Sequence, residues 1–384
     1  MKVRVLHIIG AMDPGGIEIW LLNLLKYIDQ DLLEFHFCTF GPKPGLFAGE
    51  VKRLGGRMRP CPRALNPLSF SRRFRKILRE GNYDTVHSHV TLFSGAVLRW
   101  AQAEGISMRI AHSHITQDDK PGTQARLHYR RIMKSWIWRF ATHGLAVSKP
   151  AACNLFGEDW EADGRFRVLP YGIDLRPFVE PAIREEIRRE LGIPLTSAVV
   201  GHVGRFDPQK NHRFLLEIAR AVLTKRPDVD FLLIGDGPLR SEMETRVRQM
   251  GLSHKIHFAG IRTDVPRLML GAMDLFLFPS LYEGFGLCVM EAQAAGLRCL
   301  VSDTVPNEVV RLPESVEFLS LSAGKDHWAT QVIEWLDARQ PEMTPLWNDV
   351  TRRQFSIQQS VSPLTDLYVS ARKPTAQNIL QQHA

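Results

Sequence analysis

Short apolar runs alternate with amphipathic stretches along almost the whole chain, and that alternation limits its fold more than any single motif does. In the first half, strand-like runs at 3–9, 34–40, 85–87, 108–112 and 144–147 are separated by helix-like stretches at 17–28, 69–80, 92–103 and 124–140. The second half repeats the scheme, with strands expected at 198–203, 229–234, 255–258, 275–278 and 298–301. Helices are expected there at 183–191, 214–223, 239–250, 265–270 and 287–295. Such a pattern predicts βαβ units on parallel sheets, an α/β fold. The turn Pro170-Tyr171-Gly172-Ile173-Asp174 marks the break between halves. We expect one α/β domain at 1–172 and a second that starts at 173. A polar, frayed tail is expected at 372–384. Ligands of open α/β sheets bind at the carboxyl ends of strands, so two such domains facing each other would form a deep cleft.

Composition removes several classes. At 384 residues with 44% hydrophobic and 23% charged side chains, the chain has material for large cores, which excludes a disordered chain and a small disulfide scaffold. No apolar run approaches the roughly 20 residues of a membrane span. The opening Met1–Gly10 stretch reads as a buried strand, not a signal peptide. Five scattered cysteines without a Cys-x-x-Cys argue against a disulfide framework or zinc knuckle and fit a reducing cytoplasm. The charge is lopsided. Residues 1–170 carry 25 Lys/Arg against 15 Asp/Glu, and the remainder 24 against 26. A basic first half suits an anionic partner, and charge alone does not say which.

Four segments at predicted strand ends carry chemistry. In Tyr282-Glu283-Gly284-Phe285-Gly286-Leu287-Cys288-Val289-Met290-Glu291, two glycines open a helix whose free N–H groups suit phosphate. Glu283 precedes that helix and Glu291 is expected about two turns inside it, roughly 12 Å on at full helical rise. That spacing suits two ends of one extended ligand. In Gly204-Arg205-Phe206-Asp207-Pro208-Gln209-Lys210-Asn211, a forked guanidinium and an ammonium bracket a turn, a pair able to clamp a diphosphate. The pairs His87-Ser88-His89 and His112-Ser113-His114 each put two imidazoles on one face of an extended chain. They can move protons, hold hydroxyls or take metal, and no carboxylate spacing favours metal. Asp13-Pro14-Gly15-Gly16-Ile17-Glu18 follows the first strand and lets a ligand approach its glycines. The Asp-x-Asp triplets at Asp29 and Asp228 are read as turns, not metal sites. A Walker loop, a complete Gly-x-Gly-x-x-Gly, a nucleophile elbow and a His-Glu-x-x-His are all absent.

In this order and spacing, these residues resemble the retaining family 4 glycosyltransferases of the GT-B fold, and among them bacterial capsular and exopolysaccharide enzymes. Glu283 to Glu291 matches the family's Glu-x7-Glu motif, and 201–211 matches its Gly-x-x-Gly-Arg…Lys-Asn segment. Leu233-Ile234-Gly235-Asp236-Gly237 and Pro170 to Asp174 match further segments. The resemblance implies two Rossmann-like domains, N-terminal at 1–172 and C-terminal at 173–353, facing across a deep cleft, with a nucleotide sugar, UDP-linked before GDP-linked, held by the second and a segment at 354–371 that crosses back to the first. It implies that Arg205 and Lys210 hold the diphosphate beside Gly204. Glu283 would take donor-sugar hydroxyls, Gly284, Phe285, Gly286 and Leu287 would offer backbone amides, and Glu291 would take the ribose. Arg262 falls in a segment near the base. His114, with His112 second, corresponds to a first-domain histidine on the donor sugar, and Gly15 and Gly16 to a loop near donor phosphates or acceptor. His87, His89 and His112 stand as acceptor-side candidates.

The resemblance further implies retention of configuration, no cofactor and no metal. In the front-face mechanism proposed for retaining enzymes, the departing phosphate oxygen helps deprotonate the acceptor. The acceptor expected is a glycan or a polyprenyl-diphosphate-linked saccharide at the cytoplasmic face of the membrane. Two basic stretches, 72–77 and the aromatic-rich 126–140, read as its anionic-membrane contacts. Rival readings are a GT-B sugar-nucleotide epimerase or phosphorylase, and a non-catalytic polyanion binder. No nucleic-acid recognition module supports the last.

Overall fold

The computed structural model describes residues 2–41, 43, 45–62, 67–117, 122–338 and 349–372. The chain forms two compact units: Met1–Gly172 with the segment from Ile357 onward, and Ile173–Ser356.

The first unit carries seven parallel strands: β1 (Val3–Ile9), β2 (Leu33–Thr39), β3 (Arg57–Met58), β4 (Thr85–Ser88), β5 (Met108–Ser113), β6 (His143–Ala146) and β7 (Phe166–Val168). Their order is β3-β2-β1-β4-β5-β6-β7. Helices α1 (Gly16–Tyr27), α2 (Ala48–Arg53), α3 (Pro67–Gly81), α4 (Ser94–Ala103), α5 (Gln124–Phe140) and α6 (Lys149–Phe156) connect them. Right-handed crossovers place α1 and α2 on one face and α3 to α6 on the other. Helices on both faces explain why β1 reads as a nearly unbroken apolar run.

The second unit repeats the plan with β8 (Ala198–Val203), β9 (Val229–Ile234), β10 (Ile256–Gly260), β11 (Leu275–Phe278), β12 (Arg298–Ser302) and β13 (Val316–Leu319) in the order β10-β9-β8-β11-β12-β13. Its helices are α7 (Arg184–Glu190), α8 (His212–Lys225), α9 (Arg240–Gln249), α10 (Val265–Gly271), α11 (Leu287–Ala294), α12 (Gly324–Asp337) and α13 (Asp349–Phe355). Phe231, Leu216, Val222, Met243 and Trp328 fill the core under α8, α9 and α12. The last described helix, α14 (Gln358–Ser370), belongs to the first unit. There Trp20 Nε1 donates to Ser360 Oγ at 3.0 Å. Phe355 closes α13 in the second unit, and α14 starts at Gln358, within the segment 354–371 expected to return to the first unit. The tail, apart from Arg372, lies outside the described residues.

Strand order reverses between β1 and β4 in one unit and between β8 and β11 in the other. Ligand crevices of open α/β sheets form at such switch points, outside the carboxyl ends of the strands. In the second unit, that selects the segments after β8 and β11.

Candidate functional site

The segment leaving β8 is a tight turn. Asp207 caps the short helix Pro208–Lys210, accepting from Lys210 N, and Asn211 takes a left-handed backbone (φ 54°) to start α8. The segment leaving β11 is fixed from below: Ser302 Oγ and Thr304 Oγ1 both donate to Ser280 O, at 2.6 and 2.8 Å. Leu281 N donates to Gln209 O at 2.8 Å and ties the two segments together.

Across this seam, Lys210 Nζ lies 2.6 Å from Glu283 Oε1, with side chains only 15% and 7% exposed. Gln209 Nε2 donates to Glu283 Oε2 at 3.1 Å and to Tyr282 O at 3.0 Å. The Lys210 ammonium stands 4.7 Å over the Phe278 ring. Burial works to discharge Lys210, but the Glu283 charge and hydrogen bond outweigh it and hold its pKa above the ordinary lysine value. Gly204 makes room for this lysine: a Cβ there would sit 3.1 Å from Lys210 Cγ and 3.0 Å from His202 Nε2. Arg205 is exposed, and its guanidinium has no hydrogen-bond or ion-pair partner among the described residues, so a free guanidinium stands on the same turn.

Gly286, in the left-handed region at φ 91°, caps α11. A side chain there would also press on Val305 Cγ1 at 3.2 Å. Phe285 is buried under the Arg311 guanidinium and serves the core, so only its backbone is available to a ligand. Leu287 is likewise buried. Glu291 is the fifth residue of α11, just over one turn in, not two, because residues 283–286 are a turn and not helix. It is half-buried, its carboxylate has no partner among the described residues, and burial pushes its pKa up to about 7.

Arg262 stands apart from this group. Asp264 holds its Nε and Nη2 and Glu190 its Nη2, each contact at 2.7 Å. Two residues the sequence reading passed over belong to the site: Gln209, which bridges the segments, and Phe278, the floor under Lys210. Position beside Lys210, and the last place of a strand entering the Glu-rich turn, were their only signals. Gly235 and Gly237 also have a definite role. Gly204 N donates to Ile234 O and Phe206 N donates to Asp236 O, both at 3.0 Å, packing the Arg205 turn directly on the glycine loop. A Cβ on Gly235 (φ 136°) would lie 2.1 Å from Gly204 O.

In the first unit, the loop after β1 presents Gly15 and Gly16. A Cβ on Gly15 would sit 2.5 Å from Glu18 Oε2, so that flexible carboxylate would have to move aside, whereas nothing lies within 4 Å of a Cβ on Gly16. The histidines make a buried sheet face. Parallel pairing sets His7 opposite His87. His87 Nδ1 meets Tyr368 OH at 2.6 Å and its Nε2 meets His112 Nδ1 at 3.1 Å. His7 Nδ1 meets His89 Nε2 at 3.0 Å, His89 Nδ1 meets His114 Nε2 at 2.8 Å, and His114 Nδ1 meets Tyr171 OH at 2.5 Å. Burial drives His7 down to about 3 and the other four well below the ordinary histidine value, so all are neutral. His87 and His112 are wholly enclosed. The expectation that they face an acceptor is corrected: their strand positions point them into the face covered by α1 and α14. The groups His7/His87/His89 and His89/His112/His114 bring ligand atoms within 4.8 Å. Their linked nitrogens, at 2.8–3.1 Å, are closer than the roughly 3.3 Å between two tetrahedral zinc ligands at about 2.05 Å, and suit shared protons.

The basic helices take a corrected form too. Trp138 Nε1 donates to Phe156 O at 2.7 Å, and its ring packs on Phe166. Trp136 is half-buried with Arg99 over it at 4.4 Å. The large aromatics of α5 therefore serve its own unit, and what it exposes includes Arg131 and Arg139. On α3, Arg72, Arg73 and Lys76 are exposed. No helix among the described residues is long and apolar enough to cross a membrane. Of the Asp-x-Asp triplets, Asp228 pairs with Arg226, Asp230 with Lys255 and His257, and Asp29 accepts from Asp31 N.

Residues 183–344 match the family model "Glycosyl transferases group 1", and residues 14–176 match "Glycosyltransferase Family 4". The chain is 32% identical over 374 residues to the putative glycosyltransferase EpsF of Bacillus subtilis, spanning 95% of this chain and 96% of that one. It is 25% identical over 373 residues to the capsular polysaccharide biosynthesis glycosyltransferase CapH of Staphylococcus aureus, spanning 96% and 99%. It is 28% identical over 310 residues, 77% of each chain, to an Escherichia coli UDP-Gal:alpha-D-GlcNAc-diphosphoundecaprenol alpha-1,3-galactosyltransferase. In fold it is similar to Anabaena Alr3699/HepE crystallised with UDP-glucose, with a TM-score of 0.79 at 19% identity over 96% of this chain and all of that one.

Proposed function

The chain belongs to the group 1, family 4 glycosyltransferases, and from that membership we propose that it transfers a hexosyl group from a UDP-sugar, with retention and without a metal, to a lipid-linked saccharide. The observation that carries the donor site is the buried Lys210–Glu283 pair with the free Arg205 beside it, on the two segments at the strand-order switch of the second unit. Lys210 and Arg205 take the diphosphate. Fixed positive charge and the amides of Gly284 to Leu287 at the start of α11 stabilise it as it leaves. Glu283, held by Gln209 as Lys210 turns to phosphate, takes donor-sugar hydroxyls, and Glu291 takes the ribose. Glu283 is engaged by two partners and is therefore a poor nucleophile, which favours a front-face path in which the leaving oxygen receives the acceptor proton. His114 contacts the donor sugar and Gly15 and Gly16 line the path to the acceptor. The E. coli relative's name, with its UDP-Gal donor and diphosphoundecaprenol-linked acceptor, supports both substrate classes. The exposed cations of α3 and α5 suit the anionic inner face of the membrane.

Calorimetry against UDP-, GDP- and ADP-sugars tests the donor site, followed by transfer to a polyprenyl-diphosphate saccharide. Binding of one UDP-sugar, lost in Glu283→Ala, supports it. No binding by the wild type removes it, and conversion of the donor without acceptor makes the protein an epimerase.

A further inference from the structure

The histidine that the donor-site reading places on the sugar is the second of four linked groups. Tyr171 OH, His114, His89 and His7 are joined in that order at 2.5, 2.8 and 3.0 Å. Each neutral imidazole owns one N–H. Three links need three protons, and the four groups hold four. The surplus proton must sit at one end, so the tautomers of the three histidines are not independent. In one state Tyr171 donates inward, every histidine is protonated on Nε2, and His7 Nε2–H is stranded. In the other every histidine is protonated on Nδ1, His114 Nδ1–H donates to the Tyr171 oxygen, and the hydroxyl proton points away. His7 Nε2 is fully buried and has no partner among the described residues. A buried donor and a buried acceptor are both costly to leave unpaired, so that end does not choose strongly.

The other end does. Glu18, in the first turn of α1, folds its carboxylate back over Gly15, and its negative charge bears on the Tyr171 phenol. A carboxylate draws the hydroxyl proton outward and leaves the oxygen lone pair to His114. Trp20 stands beside both rings, 5.1 Å from Tyr171 and 6.1 Å from His114, and all three side chains are buried.

We propose that Glu18 and Tyr171 are positioning residues that hold His114 as its Nδ1–H tautomer, with His89 and His7 following in register. This rests on the reading that His114 meets the donor sugar. It gives that histidine one defined nitrogen lone pair, Nε2, borrowed from His89 when a sugar hydroxyl arrives. Which nitrogen of an imidazole carries the proton is set by what the other nitrogen binds.

The test uses the full chain, 15N-labelled at histidine, with long-range 1H–15N correlation to read each tautomer. The expected result is a proton on Nδ1 of His114 and His89. Glu18→Gln keeps the length and polarity of the side chain but removes the charge, and should move the His114 proton toward Nε2. Tyr171→Phe should lower kcat by about 10- to 100-fold with donor KM within about two-fold, the scale of a misplaced reacting group. A wild-type His114 protonated on Nε2 overturns the proposal, whatever the kinetics. If His114→Ala abolishes transfer while Tyr171→Phe and Glu18→Gln keep the wild-type kcat, the proposal fails and the role of His114 stands. If His114→Ala transfers normally, both fall.

Discussion

Lys210 and Glu283 form one ion pair, 2.6 Å between charged atoms, although 73 residues separate them. Each comes from the end of a different strand, and the two strands, β8 and β11, are neighbours only because the strand order reverses there. Removing one member leaves the other charge buried. Lys210→Met should destabilise the second unit toward the lower end of about 3–5 kcal/mol, since Gln209 still donates to Glu283. Lys210→Met with Glu283→Met should recover part of that loss. Urea unfolding of the four proteins measures the coupling. Donor binding should fall at least about 10-fold in both single variants, and unchanged donor affinity in Lys210→Met would remove the diphosphate role.

Glu291 links this site to pH. Its pKa, near 7 by burial, means that it is mostly protonated at pH 6 and mostly ionised at pH 8. A carboxylate accepts from two ribose hydroxyls at once, whereas a neutral acid must donate its own proton. Donor affinity should therefore rise with pH through about 7. In Glu291→Gln that step should vanish while the remaining pH dependence persists. A step that survives the substitution belongs to another group.

Gly235 tests the floor of the site. Its φ of 136° and a Cβ 2.1 Å from Gly204 O leave no relaxed place for alanine, and the obstructing atom is backbone. Gly235→Ala should push the Arg205 turn away from β9. The expected cost is above about 3 kcal/mol, in the range reserved for named disruptions. Thermal unfolding with and without a UDP-sugar would show it as a lower Tm and a lost ligand shift. An ordinary Tm would mean that the turn adapts.

The cations of α3 and α5 make a separate prediction. Reversing Arg72, Arg73 and Lys76 to glutamate should abolish sedimentation with anionic vesicles. The wild type should bind less as salt rises, because exposed charges are screened over about 10 Å at 0.1 M. Since Trp136 and Trp138 are turned to their own unit, tryptophan fluorescence should change little on vesicle binding. A large blue shift would put the aromatics in the bilayer instead.

These contrasts mark what a sequence makes legible. Buried parallel strands such as β1, β8, β9 and β11 are continuous apolar runs and stand where the pattern puts them. The edge strands β3, of two residues, and β13, with only Leu319 buried, lack such a run. The short α6, with a proline in its first turn, carries too little periodicity to be seen. Motif residues were legible because glycine and charge at strand ends are chemically conspicuous. Their partners were not: Gln209 and Phe278 matter only through contacts made across the seam between β8 and β11. The histidine pairs were visible as pairs, but His7 looked like an ordinary strand residue. Only the register of β1 on β4 brings it beside His87.

That buried face carries the last prediction. Unfolded, each histidine titrates near 6.5. Folded, His7 titrates near 3 and His87, His89, His112 and His114 well below the ordinary value. Above about pH 6.5 both states are neutral and nothing is lost. Below it the unfolded chain gains protons that the folded chain refuses, so stability falls with pH until the folded values are reached, by about 1.4 kcal/mol per pH unit for each group. Five such groups share one buried face of the first unit, and His36 and His143 are also held below the ordinary value by burial, so its stability should fall steeply over that range. The second unit has His202, near 4, and His212, near 2, and protonation of Glu291 below about 7 works in the opposite sense. Acid should therefore unfold the first unit before the second. Circular dichroism from pH 7 to 4 should show two transitions, the first steep. His7→Phe with His112→Leu should make the first transition shallower and shift it to lower pH. One transition whose slope ignores these substitutions would mean that the buried histidines are not what acid attacks.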